Sequence, residues 1–259
     1  MNKAQADKIW YYWSKLCETA PARFAKYGSS DRSELDDSKA GNLALEGLAK
    51  IAWNTALAEA LTPVLQATEI ALRNWMDKAI AEHLAGSHPN PVNWLMNPPA
   101  WVHRGDRDLI EDSVAVLERE IERGGRAVYG HNDIVATTSL SLWTGMIQNN
   151  EVWSALSSFR SGNLTKGSDR KTLHKVFDEM RNIRNRAYHL EPIFCEKDIW
   201  TIYSNAKQYL SILEPRLALL TAYLDRFPLI YDSGGGWKAI SQDLYAHYGL
   251  DELEESESA

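Results

Sequence analysis

Apolar residues recur at spacings of three and four along most of the chain, and no convincing run alternates apolar with polar residues as a strand does. Thr62 followed by Pro63 indicates the start of a new helix, since threonine caps helices and proline fits their first turn. The pattern therefore indicates an all-α protein. Helices are predicted over residues 4–17, 42–61, 63–84, 106–123, 171–189, 196–213, 217–227 and 238–248, with two shorter ones within 139–159.

The helix predicted to begin at Lys171 has an anomaly in its apolar stripe. The stripe consists of Leu173, Val176, Phe177, Met180, Ile183 and Ala187. At 3.6 residues per turn, Arg184 falls near the middle of this stripe. Because an isolated buried charge is strongly destabilising, the Arg184 guanidinium must be paired or must line a cleft.

His189 follows Arg184 near the expected end of the same helix. Because the residue before a proline is pushed out of the α region, Pro192 predicts that the helix ends between His189 and Glu191. The imidazole is then free to turn toward Arg184. With the polar Asn185 directly after the arginine, these residues form a candidate catalytic site.

Two blocks of sequence resemble those of a known family. Ile183–Phe194, IRNRAYHLEPIF, is similar to the motif block of the Abi-like (abortive-infection) branch of the HEPN ribonuclease superfamily. Ile51–Asn54 (IAWN) and Val64–Asn74 (VLQATEIALRN) resemble the upstream block of that branch, in the same order. Tyr188 stands where the branch usually has a small residue, and Leu190 stands where it usually has a second histidine. The resemblance implies a HEPN-like helical bundle with extra helices inserted between the blocks.

RNA supplies its own nucleophile, the 2′-hydroxyl, so no metal ion or cofactor is expected. An arginine and a histidine can perform the remaining tasks of RNA cleavage. His189 would move the proton, since an imidazole titrates near neutral pH. Arg184 would hold the phosphate oxygens. Asn185 would orient the histidine or the phosphate, and Arg181 and Arg186 would steer the strand. The expected products carry a 2′,3′-cyclic phosphate and a 5′-hydroxyl.

The upstream block supplies three further candidate supporting residues, Glu69, Arg73 and Asn74. Glu69 and Arg73 are four residues apart, in the favourable order for an ion pair along a helix. Glu69 also lies at the margin of an apolar stripe, where it can instead meet a basic group from the Arg184 helix. A surface pair and this buried role both remain open.

The formal charge of −7 is unevenly distributed along the chain. Five acidic residues lie in the last nine positions, DELEESESA, and without them the charge is −2. Residues 160–186 contain eight Lys or Arg against three acidic residues. This local excess fits a focused phosphate site, although charge alone favours an ordinary solvated helix face.

The chain is expected to form one domain over residues 1–250, followed by a disordered acidic tail at 251–259. Cys17 and Cys195 fit no disulfide or metal pattern, so a reducing cytoplasm is the expected compartment. No stretch approaches the length of a membrane span, so no membrane partner is expected.

The resemblance implies a homodimer, because HEPN domains pair about the motif helix and form a composite active site. The first hypothesis is an Abi-like HEPN endoribonuclease that acts in phage defence or as a toxin, restrained by an antitoxin protein or an inhibitory RNA. A second hypothesis is a non-catalytic HEPN scaffold that binds RNA or protein. A third is a helical interaction protein in which Arg184 has only a structural role.

Overall fold

The computed structural model describes residues 3–29, 31–33, 35–196, 198–232 and 236–247, with only the backbone of residues 38 and 247. This part of the chain contains helices and no strand, which confirms the all-α class. The helices are α1 (Lys3–Thr19), α2 (Pro21–Phe24), α3 (Asp37–His83), α4 (Arg104–Glu122), α5 (His131–Thr137), α6 (Leu140–Met146), α7 (Asn150–Ser158), α8 (Arg170–Tyr188), α9 (Ile199–Leu213), α10 (Pro215–Leu224), α11 (Phe227–Tyr231) and α12 (Trp237–His247). Short 3-10 turns cover Pro91–Met96 and Phe159–Gly162.

The chain divides into two compact units. The first unit comprises Met1–Thr62, Arg184–Ile199 and Asp225–Ala259, and the second comprises Pro63–Ile183 and Trp200–Leu224. Helices α3 and α8 each contribute residues to both. The single domain expected over residues 1–250 and the HEPN-like arrangement of its helices stay predictions. The acidic segment 251–259 lies outside the described residues.

The core of the first unit is built on tryptophans of α1. The Trp13 side chain is fully buried, and its indole Nε1 donates a hydrogen bond to the Ser29 carbonyl at 2.8 Å. A Cβ atom at Gly47 of α3 would lie 2.6 Å from two ring carbons of Trp13, so glycine allows this close approach. Ile9, Trp10, Cys17, Phe24, Tyr27, Ala40, Ala44 and Leu45 complete this core.

The second unit has a core of its own around Trp94 and Trp143, whose rings meet edge to face at 6.3 Å between centroids. The Asp77 carboxylate of α3 accepts hydrogen bonds from the Trp94 indole at 2.8 Å and the His131 imidazole at 2.7 Å. Trp143 donates to the Thr138 hydroxyl at 2.9 Å. The two indole N–H groups and the His131 Nε2 thus have partners in an otherwise apolar interior.

The break predicted at Thr62 and Pro63 is wrong, because α3 continues through both residues. The Thr62 hydroxyl donates to the Ala58 carbonyl at 2.6 Å, so it satisfies the preceding turn and does not cap a new helix. Leu61 and Val64 are both buried beside the proline. Burial of the apolar stripe on each side therefore outweighs the local cost of Pro63.

Other helix boundaries follow the sequence more closely. Two short helices, α6 and α7, lie within 139–159 as predicted, and the Asn149 side chain between them accepts from the backbone N–H of Glu151 at 2.9 Å. Among the helices of the described residues, none combines the length and apolar composition that spanning a bilayer would require.

Candidate functional site

Helix α8 ends at Tyr188, at the boundary that Pro192 predicts to within one residue. The His189 N–H still donates to the Asn185 carbonyl at 3.0 Å, so the chain remains wound up to the imidazole. At 3.6 residues per turn, Arg184 and His189 therefore point about 140° apart. Within the described part of the chain, no hydrogen bond or ion pair involves the His189 side chain, which is exposed. The turn of the imidazole toward Arg184 is not seen within one chain.

A Schellman motif closes α8 directly after His189. Leu190 adopts the left-handed conformation with φ +52°. The Glu191 N–H donates to the Arg186 carbonyl at 2.8 Å, and the Leu190 N–H donates to the Ala187 carbonyl at 3.2 Å. Glycine usually occupies the left-handed position, and a side chain there costs roughly 1–2 kcal/mol. The segment is therefore held in a strained path by contacts elsewhere.

The buried Asn54 side chain of α3 supplies two of these contacts. Its Oδ1 accepts from the Ile193 N–H at 2.7 Å, and its Nδ2 donates to the Glu191 carbonyl at 3.1 Å. Asn54 thereby holds the main chain on both sides of Pro192 by hydrogen bonds. Because the amide is fully buried, both hydrogen bonds are shielded from water.

Tyr27 provides a third contact from the loop after α2. Its hydroxyl donates to the Leu190 carbonyl at 2.8 Å. The ring is 3% exposed, and burial is the main cause that raises the pKa of the Tyr27 phenol to about 12. The phenol therefore remains a neutral donor to the strained residue through the ordinary pH range.

One part of the upstream block, residues 51–54, meets the block at 183–194 in the first unit. The Phe194 ring lies 5.5 Å from the Trp53 ring and 6.0 Å from the Tyr27 ring, measured between centroids. Together with Asn54, these rings pack the block at 51–54 against the block at 183–194. This contact gives a physical reason for residues 51–54 and 183–194 to occur in one chain.

Arg184 is half-buried, which agrees with its place in the apolar stripe. Its Nη1 donates to the Asn185 Oδ1 at 3.0 Å, and its Cζ lies 5.3 Å from the centroid of the Tyr188 ring. A cation over an aromatic face gains roughly 0.5–1 kcal/mol at an exposed site. Tyr188, which departs from the family pattern, thus helps to fix the guanidinium.

Arg186 is engaged with the segment that follows the helix. Its guanidinium forms ion pairs with Glu196 and, at 3.6 Å, with Glu191, and Nη2 donates to the Pro192 carbonyl at 2.6 Å. These contacts hold the same segment, residues 191–193, to which Asn54 is hydrogen-bonded. Arg186 thus has a structural role, and the steering role predicted for it stays a prediction.

Arg181 lies in the second unit and joins α8 to α6. It forms an ion pair with Asp178 at 2.7 Å, and its Nη1 donates to the Ser141 hydroxyl at 3.3 Å. Much of its hydrogen-bonding capacity is used within the protein. Its predicted role of steering a strand stays a prediction.

Glu69 and Arg73 also lie in the second unit, and they form an ion pair along α3. The Glu69 side chain is 4% exposed, so the pair is not a plain surface pair. Arg73 also donates from Nη1 to the Ala136 carbonyl at 2.6 Å. Asn74, the next residue, is exposed. A contact between Glu69 and a basic group of the Arg184 helix stays a prediction.

The structure thus places Arg184, Asn185, Arg186 and His189 near one another in sequence at the end of α8, but it directs the Arg184 and His189 side chains apart. Asn54 and Tyr27 were not predicted to hold this site. The sequence does indicate that Asn54 is buried and hydrogen-bonded, because it shares the helical spacing of the buried Leu57 and Leu61. Nothing in the local sequence marks Tyr27.

Comparisons of the chain with protein-family models, with curated proteins and with solved structures find no match. The described residues also contain no group of three or more His, Cys, Asp and Glu side chains arranged to hold a metal ion. The function of the protein is therefore inferred from the geometry at the end of α8 and from the resemblance of the two blocks.

Proposed function

We propose that this protein is a metal-independent endoribonuclease of the Abi-like HEPN type, with Arg184 and His189 as its catalytic residues. The observation that carries the proposal is that His189 is exposed directly after α8, five residues after a half-buried arginine. The main chain that follows His189 is held in place by hydrogen bonds with Asn54 and Tyr27. A proton-transfer group held in this way retains its position while its imidazole stays open to substrate.

In the proposed reaction, an imidazole takes the proton of the 2′-hydroxyl as that oxygen attacks the adjacent phosphorus. The bond from phosphorus to the 5′-oxygen breaks, and the leaving oxygen receives a proton. Arg184 holds the non-bridging oxygens as negative charge grows on them, and Asn185 fixes the guanidinium. The products are a 2′,3′-cyclic phosphate and a 5′-hydroxyl.

We further propose that the site is composite and forms in a homodimer. Because α8 stays wound to its end, Arg184 and His189 of one chain diverge by about 140°. A two-fold axis beside α8 would let each His189 meet the partner's Arg184, so that each of two sites takes one residue from each chain. A monomer at micromolar concentration would contradict this arrangement.

Cleavage is tested with purified protein, total RNA and transfer RNA in the presence of a chelator. Substituting His189→Ala should lower the rate by about 10²–10⁴-fold because it removes the proton-transfer group. The matched control is His174→Ala, which removes another histidine of α8 and should cleave like the wild type. Absence of cleavage by the wild-type protein would reject unassisted nuclease activity. Mass spectrometry of the fragments should find the cyclic phosphate.

The composite site is tested by mixing two inactive variants, Arg184→Ala and His189→Ala. If each site takes one residue from each chain, every mixed dimer regains one intact site. Because half of the dimers are mixed, activity should return to about a quarter of the wild-type value. No recovery, with mixed dimers demonstrated by mass, would place both residues of a site in one chain.

A biological role follows if the nuclease acts on cellular or invading RNA in the cytoplasm, as a phage-defence effector or a toxin. Such a protein would need an antitoxin protein or an inhibitory RNA to restrain it. Expression that slows growth, with relief by Arg184→Ala, would support this role. Normal growth with active soluble enzyme would count against it.

A non-catalytic HEPN scaffold is the second candidate, and the contact between Tyr188 and Arg184 favours it. The Tyr188 ring lies 5.3 Å from the Arg184 Cζ and ties the guanidinium to its own helix, as expected of an arginine with only a structural role. Under this alternative, Tyr188→Ala would leave the chain without cleavage. Under the nuclease proposal, Tyr188→Ala exposes Arg184 and maintains or raises the cleavage rate.

A further inference from the structure

A small pocket in the second unit has features that the proposed nuclease does not use. Its volume is about 80 Å³, and it lies between α3, the turn after α7 and the start of α10. Its polar lining consists of Asn74, Trp75, Lys78, Arg160 and Glu214. We refer to it as the Arg160 pocket.

Strained backbone holds Arg160 at this pocket. Arg160 and Ser161 have φ of +47° and +58°, and Gly162 follows with φ +67°. A Cβ atom at Gly162 would lie 2.7 Å from the Ser157 carbonyl oxygen, so this position needs glycine. Consecutive left-handed residues with side chains cost roughly 1–2 kcal/mol each, and such strain is concentrated at binding sites.

The strained turn places the Arg160 guanidinium over aromatic rings. Its Cζ lies 4.8 Å from the centroid of Trp75 and 5.4 Å from that of Phe159. The two rings meet edge to face at 5.1 Å, which fixes them as a platform. A guanidinium stacked in this way has its N–H groups directed outward in the plane of the fork.

Two cations at the pocket, Arg160 and Lys78, have no acidic partner among the described residues. Neither Arg160 nor Lys78 forms an ion pair with any described residue. Glu214 also lines the pocket but lies beyond ion-pair distance of both. The lining therefore carries a net charge of about +1, which favours an anion.

The Trp75 indole provides an independent observation that favours a ligand with a hydrogen-bond acceptor. Trp75 is 4% exposed, and its Nε1 donor has no hydrogen-bond acceptor within the described part of the chain. A buried donor without an acceptor costs about 1–3 kcal/mol. A bound oxygen atom that reached this N–H would relieve the cost.

We infer that the Arg160 pocket binds a phosphate group carried by a nucleotide or an RNA strand. The volume of about 80 Å³ admits a phosphate, but it is well below the roughly 300 Å³ of a site for a whole small molecule. The carrier would therefore lie outside, against the exposed Ile70 at the pocket rim. Arg160 and Lys78 supply charge, while Asn74 and Trp75 supply neutral donors.

This inference does not depend on cleavage by Arg184 and His189, because binding is measured with ligands that cannot be cut. The probes are inorganic phosphate, adenosine 5′-monophosphate and a 2′-O-methyl RNA oligomer, titrated calorimetrically. Arg160→Gln and Lys78→Gln should each weaken binding of the nucleotide and the oligomer about tenfold, since each removes a charge-assisted contact. Arg123→Gln, which changes an exposed arginine away from the pocket, is the matched control.

The sign of the charge effect is tested by Glu214→Gln, which removes the carboxylate from the lining and should tighten binding. Equal affinities in wild type, Arg160→Gln and Arg123→Gln would overturn the inference. Binding of inorganic phosphate without binding of the nucleotide or the oligomer would overturn the assignment to nucleic-acid ligands.

Proton–nitrogen spectra of the ten tryptophan indoles test the site directly. The signal lost in Trp75→Phe identifies the Trp75 N–H. On addition of the nucleotide, this signal should shift downfield as the donor gains an acceptor, and the shift should be absent in Arg160→Gln. Calorimetric binding without a change in the Trp75 signal would place the ligand elsewhere and reject the pocket.

Discussion

The Asn54 carboxamide oxygen accepts a hydrogen bond from the Ile193 N–H at 2.7 Å, although 139 residues separate the two in sequence. The same amide donates to the Glu191 carbonyl, so one side chain fixes the main chain beyond His189. The position of the candidate catalytic imidazole thus depends on a residue that would never touch the substrate.

Removing this amide should destabilise the protein. Asn54→Ala leaves the Glu191 carbonyl and the Ile193 N–H without partners, and we expect a loss of roughly 2–4 kcal/mol in the free energy of unfolding. Urea unfolding monitored by circular dichroism measures the loss. Asn182→Ala, at an exposed position of α8, should change stability by less than about 0.5 kcal/mol. Equal effects of the two substitutions would show that the two Asn54 hydrogen bonds do not contribute to the free energy of unfolding.

Relieving the left-handed residue should stabilise the protein. Leu190→Gly removes the Cβ that disfavours φ +52°, and we expect a gain of about 0.5–1 kcal/mol in the free energy of unfolding. Ala187→Gly, three residues earlier inside α8, should instead cost about 1 kcal/mol. The opposite signs, read from urea midpoints at constant m, distinguish a left-handed cap from an ordinary helical position.

The Tyr27 phenol should make stability depend on pH in the alkaline range. Because burial raises its pKa from 10 to about 12, its contribution is complete below about pH 10 and is lost as pH rises toward 12. Wild-type stability should fall more steeply than that of Tyr27→Phe over this interval, by up to about 1.4 kcal/mol per pH unit. Tyr223→Phe, at a side chain 87% exposed, should keep the wild-type slope. Parallel curves for wild type and Tyr27→Phe would contradict the buried hydrogen bond.

Two glycines in helices should respond oppositely to alanine. At Gly47 the added methyl would lie 2.6 Å from the buried Trp13 ring, and we expect a loss of about 1–3 kcal/mol. At Gly105 nothing lies within 4 Å of the added Cβ, so alanine should stabilise α4 by up to about 1 kcal/mol. Thermal unfolding of both variants measures the difference. A stable Gly47→Ala variant would mean that α1 can shift away from α3.

Much of the fold could be predicted from the spacing of apolar residues, because α1 and α8 each bury one stripe whose period is visible in the sequence. The cap at Asn149 was also predictable, since its side chain acts within its own turn. The helix break at Pro63 was predicted wrongly because a local rule was applied where burial of Leu61 and Val64 decides the outcome.

The candidate site was predictable only in part. Arg184 and His189 were visible because a charge interrupts an apolar stripe and a proline follows. The hydrogen bond from Tyr27 to Leu190 spans 163 residues and has no local signal. The left-handed conformation of Leu190 contradicts the ordinary preference of leucine, so only the assembled contacts could reveal it.

Asn54 binds only main-chain atoms of Glu191 and Ile193, and this has a consequence for variation of the protein. The Asn54 hydrogen bonds to this segment do not depend on the side chains at positions 191 and 193, so they can persist when Glu191 is changed and its ion pair with Arg186 is lost. A library that randomises residue 191 should therefore alter substrate preference more readily than it alters folding.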